Sequence, residues 1–141
     1  MSLTLLGPLR ASAQQVPLFS SLVAAGFPSP AEDHIEATLS LDELCIRHPA
    51  STFLLRAGGD SMQGAIMDGD VLVVDRSIEP RPGMIVVATI NGGFTCKRLA
   101  IEGDRPVLRA ENPRYPDIRL AAGEELEVFG VVVAAVRRFG F

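Results

Sequence analysis

Short apolar segments bounded by glycine and proline fill the chain from residue 53 onward, and this spacing is typical of strands. In the first segment, Phe53, Leu55 and Ala57 alternate with other side chains before Gly58-Gly59 ends the run. The further segments predicted as strands are 71–74, 84–90, 94–99, 107–110 and 127–136. Asn91-Gly92-Gly93, between segments 84–90 and 94–99, predicts a β-hairpin. These elements together predict a mostly β, compact sheet domain.

Residues 1–37 differ from the rest of the chain. Their apolar residues occur in short patches interrupted by glycines and prolines, and neither a helical nor a strand period persists. Pro28 and Pro30 favour an extended path. We therefore expect a flexible N-terminal arm over 1–37 and a β domain over 38–141. Ser40 and Glu43 fit a capping box that opens a short helix ending before Pro49.

Composition and charge narrow the class of function. A chain of 141 residues that is 48% hydrophobic and 21% charged is typical of one folded domain. Its net charge of −4 argues against a large phosphate-binding surface, so we expect no direct sequence-specific binding of nucleic acid. Arg137-Arg138, a compact basic pair, is interpreted as a solvated strand end. Any role at DNA would then involve protein partners.

The metal-ligating residue types are too few and too scattered for a metal site. Cys45 and Cys96 are far apart, and only His34 and His48 could join them, so no zinc cluster and no cofactor are expected. Residues 1–6 lack the features of a signal peptide, and no apolar run reaches the roughly 18–20 residues that span a bilayer. The sequence therefore favours a cytoplasmic protein without a membrane segment.

Ser61 is a candidate nucleophile. It follows Gly58-Gly59-Asp60 where a strand ends, and the glycines leave room for another chain segment to approach. Residues after Ser61, up to Met67, could form a turn or two of helix whose first N–H groups would face a developing oxyanion. Taken alone, however, a Gly-Asp-Ser triplet is most often an ordinary turn.

Lys97 is the candidate base for that hydroxyl. Alternation over 94–99 puts Thr95, Lys97 and Leu99 on one face of the strand. An inward Lys97 would have a lowered pKa, because burial disfavours the charged amine, and could then accept the serine proton. The alternative is a lysine on the solvent face of the hairpin, which the strand pattern alone favours. Cys96 is a second possible nucleophile, but the alternation points it away from Lys97 and no base for it is identifiable.

Several segments in order resemble the UmuD branch of the LexA-type self-cleaving Ser–Lys family, from about Pro17 to Arg138. The segments that carry the resemblance are Pro17-Leu18-Phe19-Ser20, Gly26-Phe27-Pro28-Ser29-Pro30-Ala31, Gly59-Asp60-Ser61-Met62, Asp68-Gly69-Asp70, Phe94-Thr95-Cys96-Lys97-Arg98-Leu99 and Val128-Phe129-Gly130-Val131-Val132. Many matches in order, at compatible spacings, are far more specific than any one of them. The resemblance implies a LexA/signal-peptidase-like domain of several short curved β-sheets.

The same resemblance implies the chemistry. Ser61 would be the nucleophile, Lys97 the general base, and Ala25–Gly26 the scissile bond, with Asp60 and the Ser61 amide as oxyanion groups. Cleavage would release residues 1–25 and leave 26–141 as the active form. Proteins of this branch are homodimers, are stimulated by the RecA–single-strand DNA filament, and serve a UmuC-like Y-family polymerase in the mutagenic bypass of lesions.

Some features depart from the family pattern. The segment between Ser61 and the Asp68-Gly69-Asp70 turn is one residue shorter than in UmuD, and residues 1–16 match nothing in the pattern. Two alternatives are a repressor effector domain of the LexA or phage type and a non-catalytic polymerase scaffold. A repressor needs a helix-turn-helix, for which residues 1–16 are too short. The last strand, 127–136, is apolar on both faces, which indicates either a fully buried core strand or a dimer interface.

Overall fold

The computed structural model describes residues 1–8, 14–19 and 35–140 of the chain. Its strands are β1 (Ser2–Pro8), β2 (Val16–Phe19), β3 (Ile35–Leu39), β4 (Thr52–Gly58), β5 (Val71–Asp75), β6 (Ile85–Ile90), β7 (Gly93–Glu102), β8 (Arg105–Arg109), β9 (Ile118–Arg119) and β10 (Glu127–Val136). A short α-helix, α1 (Leu41–Cys45), and a 3₁₀ turn, Pro49–Ser51, precede β4. The predicted mostly β architecture is confirmed.

One antiparallel sheet contains eight of these strands, in the order β1-β4-β5-β10-β6-β7-β8-β9. β1 also contacts β7, although four strands lie between them in that order. The sheet must therefore curl strongly. β2 and β3 form a separate two-stranded sheet.

Two clusters of buried side chains cover opposite faces of β6. Val87 belongs to the first cluster, while its neighbours Val86 and Ala88 belong to the second. Successive side chains of a strand point to opposite faces, so both faces of this central strand are covered. The first cluster also contains Met62 and Cys96, and it therefore reaches the turn that follows β4 and the middle of β7.

Local sequence signals correctly predict several elements. Asn91 and Gly92 both adopt positive φ, of 50° and 81°, and join β6 to β7 as the predicted hairpin turn. At the start of α1, Ser40 Oγ accepts a bond from the Glu43 N–H, and the Glu43 carboxylate accepts one from the Ser40 N–H. The predicted capping box is thus present, and the helix ends before Pro49.

The first strand is a feature that the sequence pattern does not predict. β1 pairs with β4 through backbone hydrogen bonds, with Ser2 opposite Gly58. A Cβ atom at Gly58 would lie 2.4 Å from Ser2 Oγ, so the missing side chain permits this close approach. The division into an arm, 1–37, and a domain, 38–141, stays a prediction, since residues 9–13 and 20–34 lie outside the described part of the chain.

β10 is interrupted by two bulges. Register shifts occur between Val128 and Gly130 and between Val132 and Ala134, so Phe129 and Val133 are bulge positions. The strand is buried at Gly130 and Val131, but Val133 and Val136 are 42% and 43% exposed. Only the middle of β10 is therefore a core strand.

A buried carboxylate fixes the end of β5. Asp75, 2% exposed, accepts hydrogen bonds from His48 Nδ1 at 2.6 Å, from Ser51 Oγ at 3.0 Å, and from the Ser77 N–H and Oγ at 2.8 and 2.7 Å. Burial by itself raises the pKa of Asp75, but these hydrogen bonds outweigh it and lower the pKa to about 2.

Replacing this carboxylate should destabilise the fold in a pH-dependent way. Asp75→Asn should lower the free energy of unfolding at pH 7 by about 1–3 kcal/mol, the range for hydrogen bonds to a charged group. The native pKa lies below the unfolded value of about 3.9, so the unfolded state binds more protons between the two values. The stabilisation is therefore complete above about pH 5 and is lost as the pH falls toward 2.

Urea unfolding of the wild type and the variant between pH 7 and pH 3 measures this difference. The gap between the two proteins should narrow on acidification. Asp104→Asn, at an exposed position in the β7–β8 turn, is the matched control and should have little effect. A gap that stayed constant over this pH range would contradict the assignment.

Candidate active site

The turn that carries Ser61 is closed at its base by backbone hydrogen bonds. The Gly69 N–H donates to the Ala57 carbonyl and the Ala57 N–H donates to the Asp70 carbonyl, both at 2.8 Å. Gly59, with φ of 91°, starts the turn, and its N–H donates to Asp68 Oδ1 at 2.7 Å. Ser61 therefore lies on a loop whose two ends are held by β4 and β5.

The expected helix after Ser61 is wrong. The segment folds as hydrogen-bonded turns, in which the Ala65 and Ile66 N–H groups both donate to the Met62 carbonyl. Gly64 has φ of 112°, a conformation in which a right-handed helix cannot continue. The segment is held in place by the buried side chains of Met62 and Ile66, which are 0% and 2% exposed, rather than by a helix.

The end of β10 holds the exit from this turn. Arg137 forms a two-pronged ion pair with Asp70, at 2.6 and 2.7 Å, and Asp70 is fully buried. The Met67 N–H donates to the same carboxylate at 2.9 Å. Arg137 and Arg138 are exposed just after β10, as expected of a solvated strand end, but the Arg137 guanidinium also supports the Ser61 turn, which the sequence did not indicate.

Lys97 is buried in the middle of β7. It is the only lysine among the 13 basic residues of the chain, and it is 4% exposed. Its Nζ atom lies 3.1 Å from each of three oxygens, those of the Ser61 and Thr95 hydroxyls and the Cys96 carbonyl. The alternative of a lysine on the solvent face of the hairpin is therefore excluded.

The curl of the sheet explains how these two residues meet. In the strand order, β4 and β7 are four interstrand spacings apart, which is about 19 Å in a flat sheet. Ser61 follows β4 and Lys97 lies on β7, 36 residues later. A contact of 3.1 Å requires the curl that also brings β1 to β7.

Burial is the largest influence on the pKa of Lys97, and it outweighs a hydrogen bond with the Met1 α-amino group and the charge of Cys96, which act in the opposite direction. Burial lowers the pKa of Lys97, because the ammonium form loses its hydration. Within residues 1–8, 14–19 and 35–140, no carboxylate lies within ion-pair distance of its Nζ atom. A neutral lysine amine beside a serine hydroxyl can accept the hydroxyl proton as nucleophilic attack begins.

The competing chemical groups are poorly placed for this role. Cys96 is fully buried in the first core cluster, and burial raises the pKa of its thiol to about 12, so it stays protonated at neutral pH. His48 is engaged with Asp75. His34, like Ala25 and Gly26, lies outside the described residues.

The comparisons with known proteins show the family of the chain. Residues 17–133 match the family model described as "Peptidase S24-like". The chain belongs to the Peptidase S24-like family. The predicted resemblance to the LexA/UmuD type is thereby confirmed.

The relatives of this Peptidase S24-like chain cover most of its length. Protein ImpA of Salmonella typhimurium is 46% identical over 123 residues, which is 86% of this chain and 83% of ImpA. Protein MucA of Escherichia coli is 45% identical over 119 residues, 83% of this chain and 81% of MucA. The LexA repressor of Acidovorax sp. (strain JS42) is 40% identical over 116 residues, 82% of this chain but 51% of the repressor.

The Peptidase S24-like site includes residues that sequence reasoning missed. Asn112 lies in the loop after β8, and its side chain and its backbone N–H both donate to the turn that carries Ser61. Tyr115 donates its hydroxyl to the Asp60 carboxylate, a contact that raises the pKa of Tyr115. No local pattern marks these residues, because they act on a turn more than 50 residues away.

The described residues contain no group of three or more side chains that could hold a metal ion. They also contain no helix that is long and apolar enough to cross a membrane.

Proposed function

We propose that this chain is a self-cleaving serine–lysine protein of the SOS DNA-damage response, in which Ser61 is the nucleophile and Lys97 the general base. The observation that carries the proposal is the 3.1 Å contact between Lys97 Nζ and Ser61 Oγ at a buried site. Membership of a peptidase family supports it independently.

The proposed reaction is an acyl transfer in two stages. Neutral Lys97 takes the hydroxyl proton as Ser61 Oγ attacks the carbonyl carbon of Ala25. The C–N bond to Gly26 breaks, and the Lys97 ammonium returns the proton to the leaving amine. Water, deprotonated by Lys97, then hydrolyses the Ala25 ester and restores Ser61.

The scissile bond follows from the resemblance to the UmuD branch. Ala25–Gly26 is a pair of small residues that a narrow cleft could admit, and cleavage there would release 1–25 and leave 26–141. Because the bond belongs to the same chain or to a second copy, proximity replaces much of the binding energy that a free substrate would need. Slow chemistry is then sufficient.

The biological role rests on the similarity to ImpA and MucA and on the UmuD-type motifs. By this proposal the RecA–single-strand DNA filament stimulates the cut, and the product supports error-prone synthesis by a UmuC-like Y-family polymerase in the cytoplasm. The net charge of −4 supports partners that are proteins rather than direct contact with DNA.

Self-cleavage should accelerate with alkali. In purified protein, the rate of appearance of a fragment beginning at Gly26 should rise with pH through the lowered pKa of Lys97 and then level off, because only the neutral amine accepts the proton. Electrophoresis and N-terminal sequencing of the product measure this rate.

Ser61→Ala and Lys97→Ala should each reduce the cut at least about 100-fold, since each removes one half of the proton-transfer pair. Cys96→Ala serves as the control and should still be cut. Absence of the Gly26 fragment from the wild type at every pH would favour a non-catalytic scaffold. Undiminished cutting in Ser61→Ala would contradict the assigned nucleophile.

We also propose that the chain is a homodimer. The second half of β10 exposes Val133 and Val136, and the nearby C-terminal Phe139 is 77% exposed. The middle of the same strand is buried within the chain's own core, whereas these apolar side chains are exposed at its end. A second subunit could cover them there. The resemblance to the UmuD branch supports this occupant.

Charge introduced at the end of β10 should dissociate the dimer. Light scattering of the Ser61→Ala protein at micromolar concentration should give about twice the 15.1 kDa of one chain. A variant that carries both Val133→Arg and Val136→Arg should have a mass closer to that of one chain. Ile101→Arg, at an apolar position that is 46% exposed on β7, should leave it unchanged. A monomeric mass without any substitution would contradict the dimer.

A further inference from the structure

The loop after β8 is attached to the peptide groups on both sides of the Ser61 α-carbon. Asn112, 8% exposed, donates its backbone N–H to the Ser61 carbonyl and its side-chain Nδ2 to the Asp60 carbonyl, both at 3.0 Å. Its Oδ1 atom accepts a bond from the Arg114 N–H, also at 3.0 Å. Asn112 therefore uses both ends of its amide, and the donor end holds the peptide group that precedes Ser61.

That peptide group has a fixed orientation with a chemical consequence. The described chain contains no cis peptide bond, and in a trans peptide the N–H points away from the C=O. Because the Asp60 carbonyl is directed at Asn112, the Ser61 N–H is directed to the opposite side. The Gln63 N–H also donates to the Asp60 carbonyl, at 3.1 Å, and supports the same orientation.

The Ser61 N–H is the donor that this orientation makes available. Within residues 1–8, 14–19 and 35–140 it has no hydrogen-bond partner, although Ser61 is 1% exposed. Buried backbone N–H groups are normally paired, so a donor in this position is suited to an acceptor that arrives during function. The carbonyl oxygen of a bond attacked by Ser61 Oγ is such an acceptor.

We propose that Asn112 is a positioning residue, which holds the Asp60–Ser61 peptide so that the Ser61 N–H faces the oxyanion of the scissile carbonyl. This inference rests on the proposed self-cleavage, and it adds a residue 51 positions from the nucleophile to that mechanism. Asparagine is specifically suited to the position. Aspartate lacks the Nδ2 donor and would place a negative charge against the Asp60 carbonyl, while alanine lacks both side-chain contacts.

The test compares Asn112→Ala and Asn112→Asp with the wild type. Both variants keep the backbone N–H bond to Ser61 and lose the Nδ2 donor. Asn112→Ala also loses the acceptor for the Arg114 N–H, whereas Asn112→Asp keeps it. Complete loss of an oxyanion donor lowers the rate about 10²–10³-fold. The Asn112 substitutions leave the Ser61 N–H in place but hold it less firmly, so the alkaline plateau of the cleavage rate should fall about 10- to 100-fold. The pH midpoint should not move, because the hydrogen bonds of Lys97 Nζ go to Ser61, Thr95 and Cys96 rather than to Asn112.

Asn91→Asp is the matched control. It makes the same change of charge in the hairpin turn between β6 and β7, where Asn91 is exposed, and it should cleave like the wild type. Circular dichroism establishes that each variant is folded at the assay temperature. If Asn112→Asp does not fold, Asn112→Ser takes its place. The proposal would be overturned if the Asn112 variants reached the wild-type plateau of the cleavage rate. It would also be overturned if their loss of rate came only from a shifted midpoint of the pH profile.

A second readout does not depend on cleavage. In ¹H–¹⁵N NMR spectra of Ser61→Ala proteins, the amide signal of position 61 should shift and exchange faster when Asn112→Ala is added, but not when Asn91→Asp is added. If the wild type makes no Gly26 fragment, the proposed self-cleavage fails, and this amide signal alone decides the role of Asn112. An unmoved signal would then overturn the positioning role.

Discussion

The proposed chemistry depends on the burial of one amine, that of Lys97, beside one hydroxyl, that of Ser61. Moving a lysine ammonium out of water is unfavourable, and each unit by which its pKa falls corresponds to about 1.4 kcal/mol. In this chain the amine of Lys97 is surrounded by hydroxyl and carbonyl oxygens rather than by a carboxylate. An acidic partner would stabilise the charged form and remove the basic character that the proposed chemistry needs.

The rest of the fold keeps that arrangement in place. The β6–β7 hairpin sets the position of Lys97, opposite the fully buried Val86. Met62 and Ile66 anchor the turn that carries Ser61, and the Asp70–Arg137 pair fixes the exit of that turn to β10. The curl of the sheet brings the two sides together across three intervening strands. Each of these supports lies outside the reacting pair, so damage to the site can arise from substitutions at a distance.

Local signals in the sequence account for the elements that were predicted correctly. Asn91-Gly92 requires positive φ angles, and Ser40 with Glu43 satisfies the first N–H groups of α1, so both features are encoded within four residues. β1 was not predictable in this way, because its partner strand β4 lies about 50 residues away in the sequence.

The features of the candidate site can be divided in the same way, into those that a local sequence pattern marks and those that depend on contacts between distant parts of the chain. Ser61 and Lys97 are marked by motifs on single strands and turns, whereas their contact depends on the curl, which no short pattern encodes. Asn112 is recognisable only once the loop after β8 lies against the Ser61 turn. The expectation of a helix after Ser61 was wrong because Gly64 adopts a positive φ. Glycine populates positive and negative φ about equally, so its presence in the sequence does not indicate which one it adopts.

The pKa of Lys97 tests the central claim most directly. Since Lys97 is the only lysine, protein labelled with [ε-¹³C]lysine gives one side-chain lysine signal, which can be titrated by NMR in the Ser61→Ala chain to avoid cleavage. The account predicts a midpoint clearly below the ordinary value of about 10.4 in the folded protein and a return to that value in urea. A folded-state midpoint at or above the ordinary value would contradict it, because the amine would then be charged and unable to act as a base.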